Sequence, residues 1–302
     1  MAKLATADLD VRIKTHGGGK RMLGSAPLWG PRIAQPEDDF APIPNSRLLR
    51  EPPRREWLVE DRFTRGSIAL FSGDGGIGKS LLLQHLCTCA VLGRAWLGLK
   101  VEPGRAMFIG CEDDEDELHR RQVAINRTLG VDMEDVLEAG LTLHGRVGRD
   151  NTLSRLDRKT WRMETTDLFA RILDACLRDG ISYVVLDTAT QMFAGNQNDE
   201  QQVVQFANQC RRLAVAIQGV VILTKHPSMS GRALGTGESG NVAWNNSVRT
   251  RLYLHRDKMD NVFLETMKSN YGRRGDKIPL RWERGCFVRI DEPAARDYYE
   301  PG

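Results

Sequence analysis

One octapeptide of this 302-residue chain restricts its fold and its chemistry more than any other feature. It matches the pattern G-x-x-x-x-G-K-[ST] in full and reads Gly73-Asp74-Gly75-Gly76-Ile77-Gly78-Lys79-Ser80. Glycines let consecutive backbone N–H groups curl around a phosphate, the lysine adds positive charge at the β- and γ-phosphates, and the serine hydroxyl can ligate Mg²⁺. The motif predicts a nucleoside triphosphate site made of these eight residues and Leu81.

The residues on either side of the octapeptide have the patterns that a phosphate-binding loop requires. Residues 67–72 form a short apolar run typical of a buried strand, and a run of good helix formers begins at Ser80. A loop between a strand and a helix places the phosphates at the helix N-terminus, where the helix dipole favours negative charge. This context favours a true nucleotide site over a glycine-rich surface turn that matches by chance.

Composition divides the chain into an N-terminal arm and one larger domain. Residues 1–54 contain basic and proline-rich tracts without a sustained hydrophobic period, which predicts a flexible arm that is either solvated or in contact with nucleic acid. Residues 55–302 are predicted to form a single domain, because 41% hydrophobic residues are enough for a large core.

The remaining composition bears on location and partners. No apolar run approaches the ~18 residues of a membrane span and the N-terminus has no apolar signal core, so we expect a cytoplasmic protein without a membrane partner. Six cysteines without a C-x-x-C pair favour buried thiols over a zinc site. A net charge of +3 neither requires nor excludes a polyanionic partner.

Beyond residue 55 the strand and helix patterns alternate, which predicts an α/β fold with a mainly parallel sheet flanked by helices. Strands are predicted at residues 67–72, 105–110, 182–187 and 220–224. Helices are predicted from within the acidic cluster that follows the second strand to about residue 129, at 166–178 and at 199–217. Residues 146–165 are predicted to be a loop with little structure of its own. The C-terminal part predicts antiparallel strands at 249–255, 262–268, 278–282 and 286–290.

Three polar side chains are predicted at the ends of these buried strands. Asp187 ends the third strand, where a carboxylate can hold Mg²⁺. Glu112 is the first acid after the second strand and can activate the attacking water, with Asp113 as the second choice within the same acidic run. His226 follows the fourth strand and is suited to sense the γ-phosphate, although a lone histidine is often structural.

The order of these elements resembles that of RecA-like P-loop ATPases, and more closely the plasmid RepA type of hexameric replicative helicase, with DnaB and KaiC as more distant relatives. The resemblance covers roughly residues 55–290. The residues that carry it are the phosphate loop, Glu112-Asp113, Val184-Val185-Leu186-Asp187-Thr188, Thr224-Lys225-His226, Asn246-Ser247-Val248-Arg249 and Lys268-Ser269-Asn270-Tyr271-Gly272. It implies a Mg²⁺-dependent ATPase that assembles into a homo-hexamer.

The resemblance also implies an arginine finger that a neighbouring subunit inserts against the γ-phosphate. The RepA pattern assigns this role to Arg249, with Lys268 as its companion. The DnaB pattern K-x-R-x-G is broken here by Asn270, and Arg273 or Arg274 just beyond it can substitute. The alternative is that Arg249 is only a surface charge on a strand.

In this family DNA is contacted by two loops that face the channel of the ring. They correspond here to the segment from Gln191 to Asn198 and the segment from Pro227 to Gly240. The second is rich in Gly and Ser and contains Arg232, whereas the aromatic residues near the loops are limited to Phe193 and Trp244. Simple flexible loops are the alternative interpretation.

Two classes of function remain compatible with the sequence. The favoured class is an ATP-driven ring motor on single-stranded DNA, a helicase or translocase. The alternative is a RecA-like ATPase that regulates or loads partners without unwinding DNA. The first predicts that single-stranded DNA strongly stimulates ATP hydrolysis, and the second predicts no stimulation.

Overall fold

The computed structural model describes residues 41–238 and 240–290. Most of the predicted N-terminal arm, residues 1–40, lies outside this range. The part of the arm from residue 41 to residue 56 is exposed throughout and contains one short helix, α1 (Asn45–Leu48). The division of the chain at residue 54 stays a prediction.

The described chain forms fourteen strands and nine helices. In chain order they are α1, β1 (Trp57–Val59), β2 (Phe63–Thr64), β3 (Ser67–Gly73), α2 (Lys79–Leu92), β4 (Arg105–Gly110), α3 (Glu115–Leu129), α4 (Met133–Glu138), β5 (Leu141–Gly145), β6 (Ser154–Asp157), β7 (Arg162–Thr165), α5 (Asp167–Asp179), β8 (Ile181–Asp187), α6 (Ala189–Met192), β9 (Phe193–Ala194), α7 (Glu200–Ala216), β10 (Val220–Lys225), α8 (Met229–Ala233), α9 (Val242–Ser247), β11 (Thr250–Arg256), β12 (Val262–Ser269), β13 (Lys277–Glu283) and β14 (Cys286–Arg289).

A nine-stranded sheet organises the domain, in the order β14-β13-β12-β11-β3-β10-β8-β4-β5. The six strands from β11 to β5 are parallel, and β12, β13 and β14 are antiparallel additions beside β11. β3 lies near the middle of the sheet and all seven of its residues are buried. This arrangement confirms the predicted mainly parallel sheet with antiparallel C-terminal strands.

Two apolar layers cover the sheet, one on each face. Successive side chains of a strand point to opposite faces. In β3, Ala69 and Phe71 therefore pack with α2, while Ile68 and Leu70 pack on the other face with α5 and α7. Burial on both faces explains why the parallel strands are continuously apolar rather than alternating. All six cysteines lie buried in these layers as free thiols.

Local signals fix the ends of the long helices. Asp114 accepts a hydrogen bond from the backbone N of Glu117 and caps α3, and Asp199 does the same for Gln202 at the start of α7. α2 ends at Gly93 in the left-handed conformation. Within the described residues, no helix is long and apolar enough to cross a membrane.

Residues 146–165 are not the unstructured loop that the sequence predicts. They contain the hairpin formed by β6 and β7, which pairs with β9 in a separate three-stranded sheet. The hairpin is held by residues distant in sequence, because Gln205 accepts from the backbone N of Met163 and Gln209 donates to its carbonyl. Such contacts leave no local hydrophobic pattern.

Two further features of the sheet differ from the prediction. β11 is antiparallel to β12 but parallel to β3, so the first C-terminal strand extends the parallel part of the sheet. The sequence also gave no prediction for α4 and β5, the strand at the far edge. An apolar strand pattern does not reveal the direction of its partner, because both kinds of pairing bury the same side chains.

Candidate functional site

The carboxyl ends of four parallel strands bring the predicted site residues to one edge of the sheet. The phosphate loop follows β3, Glu112 follows β4, Asp187 ends β8, and His226 follows β10. These strands are neighbours, so their ends meet. Lys79, Glu112, Asp187 and His226 line one cavity of about 640 Å³.

The phosphate loop has the backbone shape that its glycines predict. Gly76 and Gly78 have φ angles of 71° and 101°, a left-handed region that other residues rarely adopt. At Gly73, an added Cβ would lie 2.8 Å from the carbonyl oxygen of Leu254. Ile77 and Leu81 anchor the two ends of the turn in the core, while Gly75 and Gly76 are exposed at its crest.

Lys79 begins α2 and points back across the loop. Its ammonium donates to the carbonyl of Asp74 at 2.8 Å and to Nδ1 of His226 at 3.3 Å. Burial lowers the pKa of Lys79, and the nearby carboxylates of Asp187 and Glu112 oppose that shift. Since an ammonium group has no acceptor, Nδ1 of His226 must be the unprotonated nitrogen in this contact.

Ser80 and Asp187 form a pair of oxygen donors beside Lys79. Asp187 is 3% exposed, and burial raises its pKa, while hydrogen bonds from the hydroxyls of Ser80 and Thr224 oppose the rise. A hydroxyl and a carboxylate are hard ligands that suit Mg²⁺, which usually takes only one or two protein ligands and completes its shell with phosphate oxygens and water. The described residues contain no cluster of three or more His, Cys, Asp or Glu side chains that could hold a metal alone.

The structure separates Glu112 from Asp113. Glu112 is exposed to the cavity and receives a long hydrogen bond of 3.4 Å from the Thr188 hydroxyl. Asp113 instead forms an ion pair with Arg121 at 2.6 Å. Thr188 follows Asp187, so the candidate base is linked to the candidate metal ligand through one residue.

Four further residues that no sequence motif indicates also line the cavity. Arg120 comes from α3, Arg256 from the end of β11, and Trp282 and Phe287 from the C-terminal hairpin. Phe287 packs on the phosphate loop so closely that a Cβ on Gly78 would lie 2.5 Å from its ring. Trp282 and Phe287 reach the site because the C-terminal hairpin folds against α2 and α3.

Arg249 and Lys268 are close to each other but not to the cavity of their own chain. Arg249 is exposed, and its backbone N donates to Ile68 at the start of β3. Leu254, five residues further along β11, is level with Gly73. At about 3.3 Å per residue, Arg249 lies some 16 Å from the phosphate loop.

Lys268 shares the Arg249 end of the sheet. Its ammonium donates to the carbonyl of Asn245 at 2.7 Å, and its pKa is lowered by burial and by the charges of Arg249 and Arg251. The two substitute candidates, Arg273 and Arg274, are exposed in the turn before β13.

The two predicted DNA loops follow β8 and β10. The first runs from Gln191 to Asn198 and includes β9, and the second runs from Pro227 to Gly240 and includes α8. Arg232 of the second loop forms an ion pair of 3.2 Å with Asp74 of the phosphate loop. The second loop therefore touches the candidate nucleotide site directly.

Phe193 and Trp244, the two aromatic residues near the predicted DNA loops, are too buried to stack on a base. Phe193 is 5% exposed and Trp244 is 2% exposed. Their ring centroids are 5.7 Å apart in an edge-to-face arrangement, and both pack on Phe206. They are buried because large apolar side chains near α7 and α9 are removed from water in the apolar layer there.

Comparison with known proteins identifies the family and the fold of the chain. The chain matches the AAA domain family over residues 34–232, about two thirds of its length. No curated protein sequence matches it significantly. A KaiC-like protein from the hyperthermophilic archaeon Pyrococcus horikoshii has a similar fold, with a TM-score of 0.54 at 15% identity over 80% of this chain and 100% of that one. The chain therefore belongs to the AAA domain family, and its fold is that of a RecA-like P-loop ATPase.

Proposed function

We propose that this chain is a Mg²⁺-dependent ATPase that works as a ring motor on single-stranded DNA, in the manner of a RepA-type replicative helicase or translocase. The observation that carries the proposal is the meeting of Lys79, Ser80, Asp187, Glu112 and His226 at one sheet edge, around one cavity. ATP hydrolysis requires groups that hold the phosphates, ligands for Mg²⁺, a base for the attacking water and a polar group that senses the γ-phosphate.

Each of these side chains has a separate task. The loop N–H groups and Lys79 hold the β- and γ-phosphates. Ser80 and Asp187 would hold Mg²⁺, which supplies charge neutralisation across these phosphates. Glu112 accepts the proton of the attacking water, because it is the one carboxylate of its pair not engaged by Arg121. His226, bonded to Lys79 when no phosphate intervenes, exchanges that contact for the γ-phosphate.

The nucleobase is assigned to the part of the cavity lined by Trp282 and Phe287. Trp282 is 60% exposed and meets the buried Phe287 edge to face at a centroid distance of 5.1 Å. Arg120, which lines the same cavity, is also exposed. An aromatic face and a guanidinium plane can both stack on a purine.

The position of Arg249 supports the proposed assembly into a ring, which has six subunits in the family that the chain resembles. An arginine about 16 Å from its own phosphate loop cannot stabilise charge there, since its side chain is too short. The same arginine is exposed at the opposite edge of the sheet, where it can enter the site of a neighbouring copy. Lys268 lies beside it and adds a second cation.

Contact with DNA is assigned to the two loops after β8 and β10. The ion pair between Arg232 and Asp74 gives the second loop a direct connection to the phosphate loop. A nucleotide that changes the position of Asp74 would therefore release or retain Arg232 for a DNA phosphate. This coupling favours a motor over an ATPase whose DNA loops are independent of the nucleotide.

The decisive experiment is steady-state ATP hydrolysis by the full chain with and without single-stranded DNA. The proposal predicts hydrolysis that requires Mg²⁺ and is strongly stimulated by DNA, and Lys79→Ala serves as the inactive control. Hydrolysis that DNA leaves unchanged would favour a regulatory or loading ATPase. The absence of hydrolysis under both conditions would contradict an enzymatic role.

A further inference from the structure

The hairpin of β6 and β7 carries an excess of positive charge. Its residues 154–165 contain four cations and two carboxylates, a net charge of +2, whereas the whole 302-residue chain carries +3. The sequence alone indicates neither a regular structure nor a role for this segment. Its position in a folded hairpin makes the charge a property of one surface rather than of a loose loop.

The tip of this hairpin, residues 158–162, is shaped by Asp157. Both carboxylate oxygens of Asp157 are engaged by the turn, because they accept from the backbone N of Lys159 and from the backbone N and hydroxyl of Thr160. Trp161 follows with a φ of 56°, and its side chain is 70% exposed. The turn therefore holds a large aromatic ring in solvent.

Three cations adjoin this ring in the sequence of the tip. Arg158, Lys159 and Arg162 are exposed, and no carboxylate within the described residues forms an ion pair with any of them. Arg155, nearer the base of the hairpin, differs, since it pairs with Asp150 at 3.5 Å. The hairpin cations that form no ion pair within the described residues therefore all lie at its tip.

The hairpin is firmly attached beside the first predicted DNA loop. β6 pairs with β9, so Ser154 and Arg155 lie next to Phe193 and Ala194. On the other side, the backbone of Met163 is held by two glutamine side chains of α7. A rigid base of this kind keeps the tip on the same side of the domain as the loop from Gln191 to Asn198.

We propose that the hairpin tip is a binding site for single-stranded nucleic acid, in which Trp161 stacks on a base and Arg158, Lys159 and Arg162 contact neighbouring phosphates. An exposed ring can reach the face of a base only where the strand is unpaired, and stacking is tolerant of sequence. The inference rests on the proposed function, which supplies the strand. It adds the aromatic platform that the buried Phe193 and Trp244 cannot provide.

The test is equilibrium binding of a fluorescent oligothymidylate to the full chain in the presence of Mg²⁺ and a non-hydrolysable ATP analogue, over a series of salt concentrations. Trp161→Ala should weaken binding by about tenfold, and Trp161→Phe should retain most of the affinity. Arg158→Ala/Lys159→Ala/Arg162→Ala should lower the slope of log affinity against log salt by about 2, since each phosphate contact contributes about 0.7. A matched control removes three exposed cations elsewhere, Lys100→Ala/Arg127→Ala/Lys258→Ala, and should leave both quantities unchanged.

The outcomes separate this inference from the proposed function. If the wild-type chain does not bind the oligonucleotide, the DNA role itself is wrong. If the wild-type chain binds and the tip variants bind equally well with the same salt slope, only the hairpin site is wrong. Loss of binding that coincides with loss of assembly, measured by sizing, would overturn the inference and identify the tip as a contact between subunits.

Discussion

Arg121 and Asp113 form a close ion pair, with Nη1 and Oδ2 2.6 Å apart, and this pair divides the acidic run that follows β4. Arg121 also donates to the carboxylate of Glu117, one turn earlier on α3, which fixes its guanidinium on the helix surface. Both carboxylates line the cavity that Lys79 and Asp187 line, but only Asp113 is held by Arg121. The geometry supports one carboxylate of the run as the catalytic base.

Glu112→Gln should bind ATP and lose hydrolysis by about 10²-fold or more, because an amide cannot accept the proton of water. Asp113→Asn should reduce hydrolysis much less, since its partner is a structural arginine. Steady-state turnover and nucleotide binding, measured on both variants, test the assignment. A larger loss in Asp113→Asn than in Glu112→Gln would show that the wrong carboxylate has been chosen.

Thr224→Val should weaken the proposed Mg²⁺ site formed by Ser80 and Asp187. Thr224 donates to Asp187, and loss of that hydrogen bond raises the pKa of a carboxyl group that burial already raises. The acid limb of the pH–rate profile should therefore move to higher pH by about one unit, and the Mg²⁺ concentration for half-maximal activity should rise.

Two further variants make this measurement specific. Thr224→Ser keeps the hydroxyl and should behave as the wild type. Thr250→Val removes a hydroxyl that is equally buried but bonded to the carbonyl of Arg62, so it tests whether any lost hydrogen bond has the same effect. A shifted acid limb in Thr250→Val would mean that the shift reports stability and not Asp187.

His85 should make the folded state sensitive to acid. It is buried in α2, its Nε2 has no hydrogen-bond partner, and burial lowers its pKa to about 4. The unfolded chain, with a histidine pKa of about 6.5, binds the proton first as pH falls, so stability is present above pH 6.5 and is lost between about 6.5 and 4. This group should remove about 2 kcal/mol of the free energy of unfolding between pH 7 and pH 5.

Urea unfolding at the two pH values measures this loss directly. His85→Leu should have a smaller difference between pH 7 and pH 5, whereas His119→Gln, which changes an exposed histidine, should retain the wild-type difference. An unchanged difference in His85→Leu would mean that carboxyl groups elsewhere account for the acid sensitivity of the fold.

The strands and the loop that carry the candidate site residues could be predicted from the sequence, because local constraints encode them. The phosphate loop needs glycines at Gly76 and Gly78, and buried strands deliver Glu112 and Asp187 to the same edge. Apolar runs and caps located most of the parallel strands and the long helices within a few residues. Each of these signals is contained in one short segment.

Features that depend on contacts distant in sequence could not be predicted in this way. Trp282 and Phe287 reach the cavity only because the C-terminal hairpin folds against α2 and α3. The β6–β7 hairpin is polar, and glutamines of α7 hold it in place. Trp244 was considered for a DNA contact, but it is buried in the core. This burial could not be predicted, because the sequence shows where a residue lies along the chain and not which residues surround it.

In the proposed ring, each active site is completed by Arg249 of a neighbouring chain. A finger supplied by another chain contributes about 10³–10⁵ to the rate of phosphoryl transfer in related systems. Arg249→Ala should therefore bind ATP nearly normally and hydrolyse it poorly, while Lys79→Ala should lose ATP binding or turnover with its fold intact. Each variant is expected to be inactive alone.

The most direct measurement is ATP hydrolysis by mixtures of these two variants, with co-assembly verified by mass. A mixed ring pairs an intact Lys79 site with an intact Arg249 of its neighbour at about one quarter of the interfaces of an equal mixture. The account predicts that the mixture regains activity that neither variant has alone. Mixtures that co-assemble and remain inactive would contradict a site completed by Arg249. The arginine finger would then be Arg273 or Arg274, or the chain would have no finger.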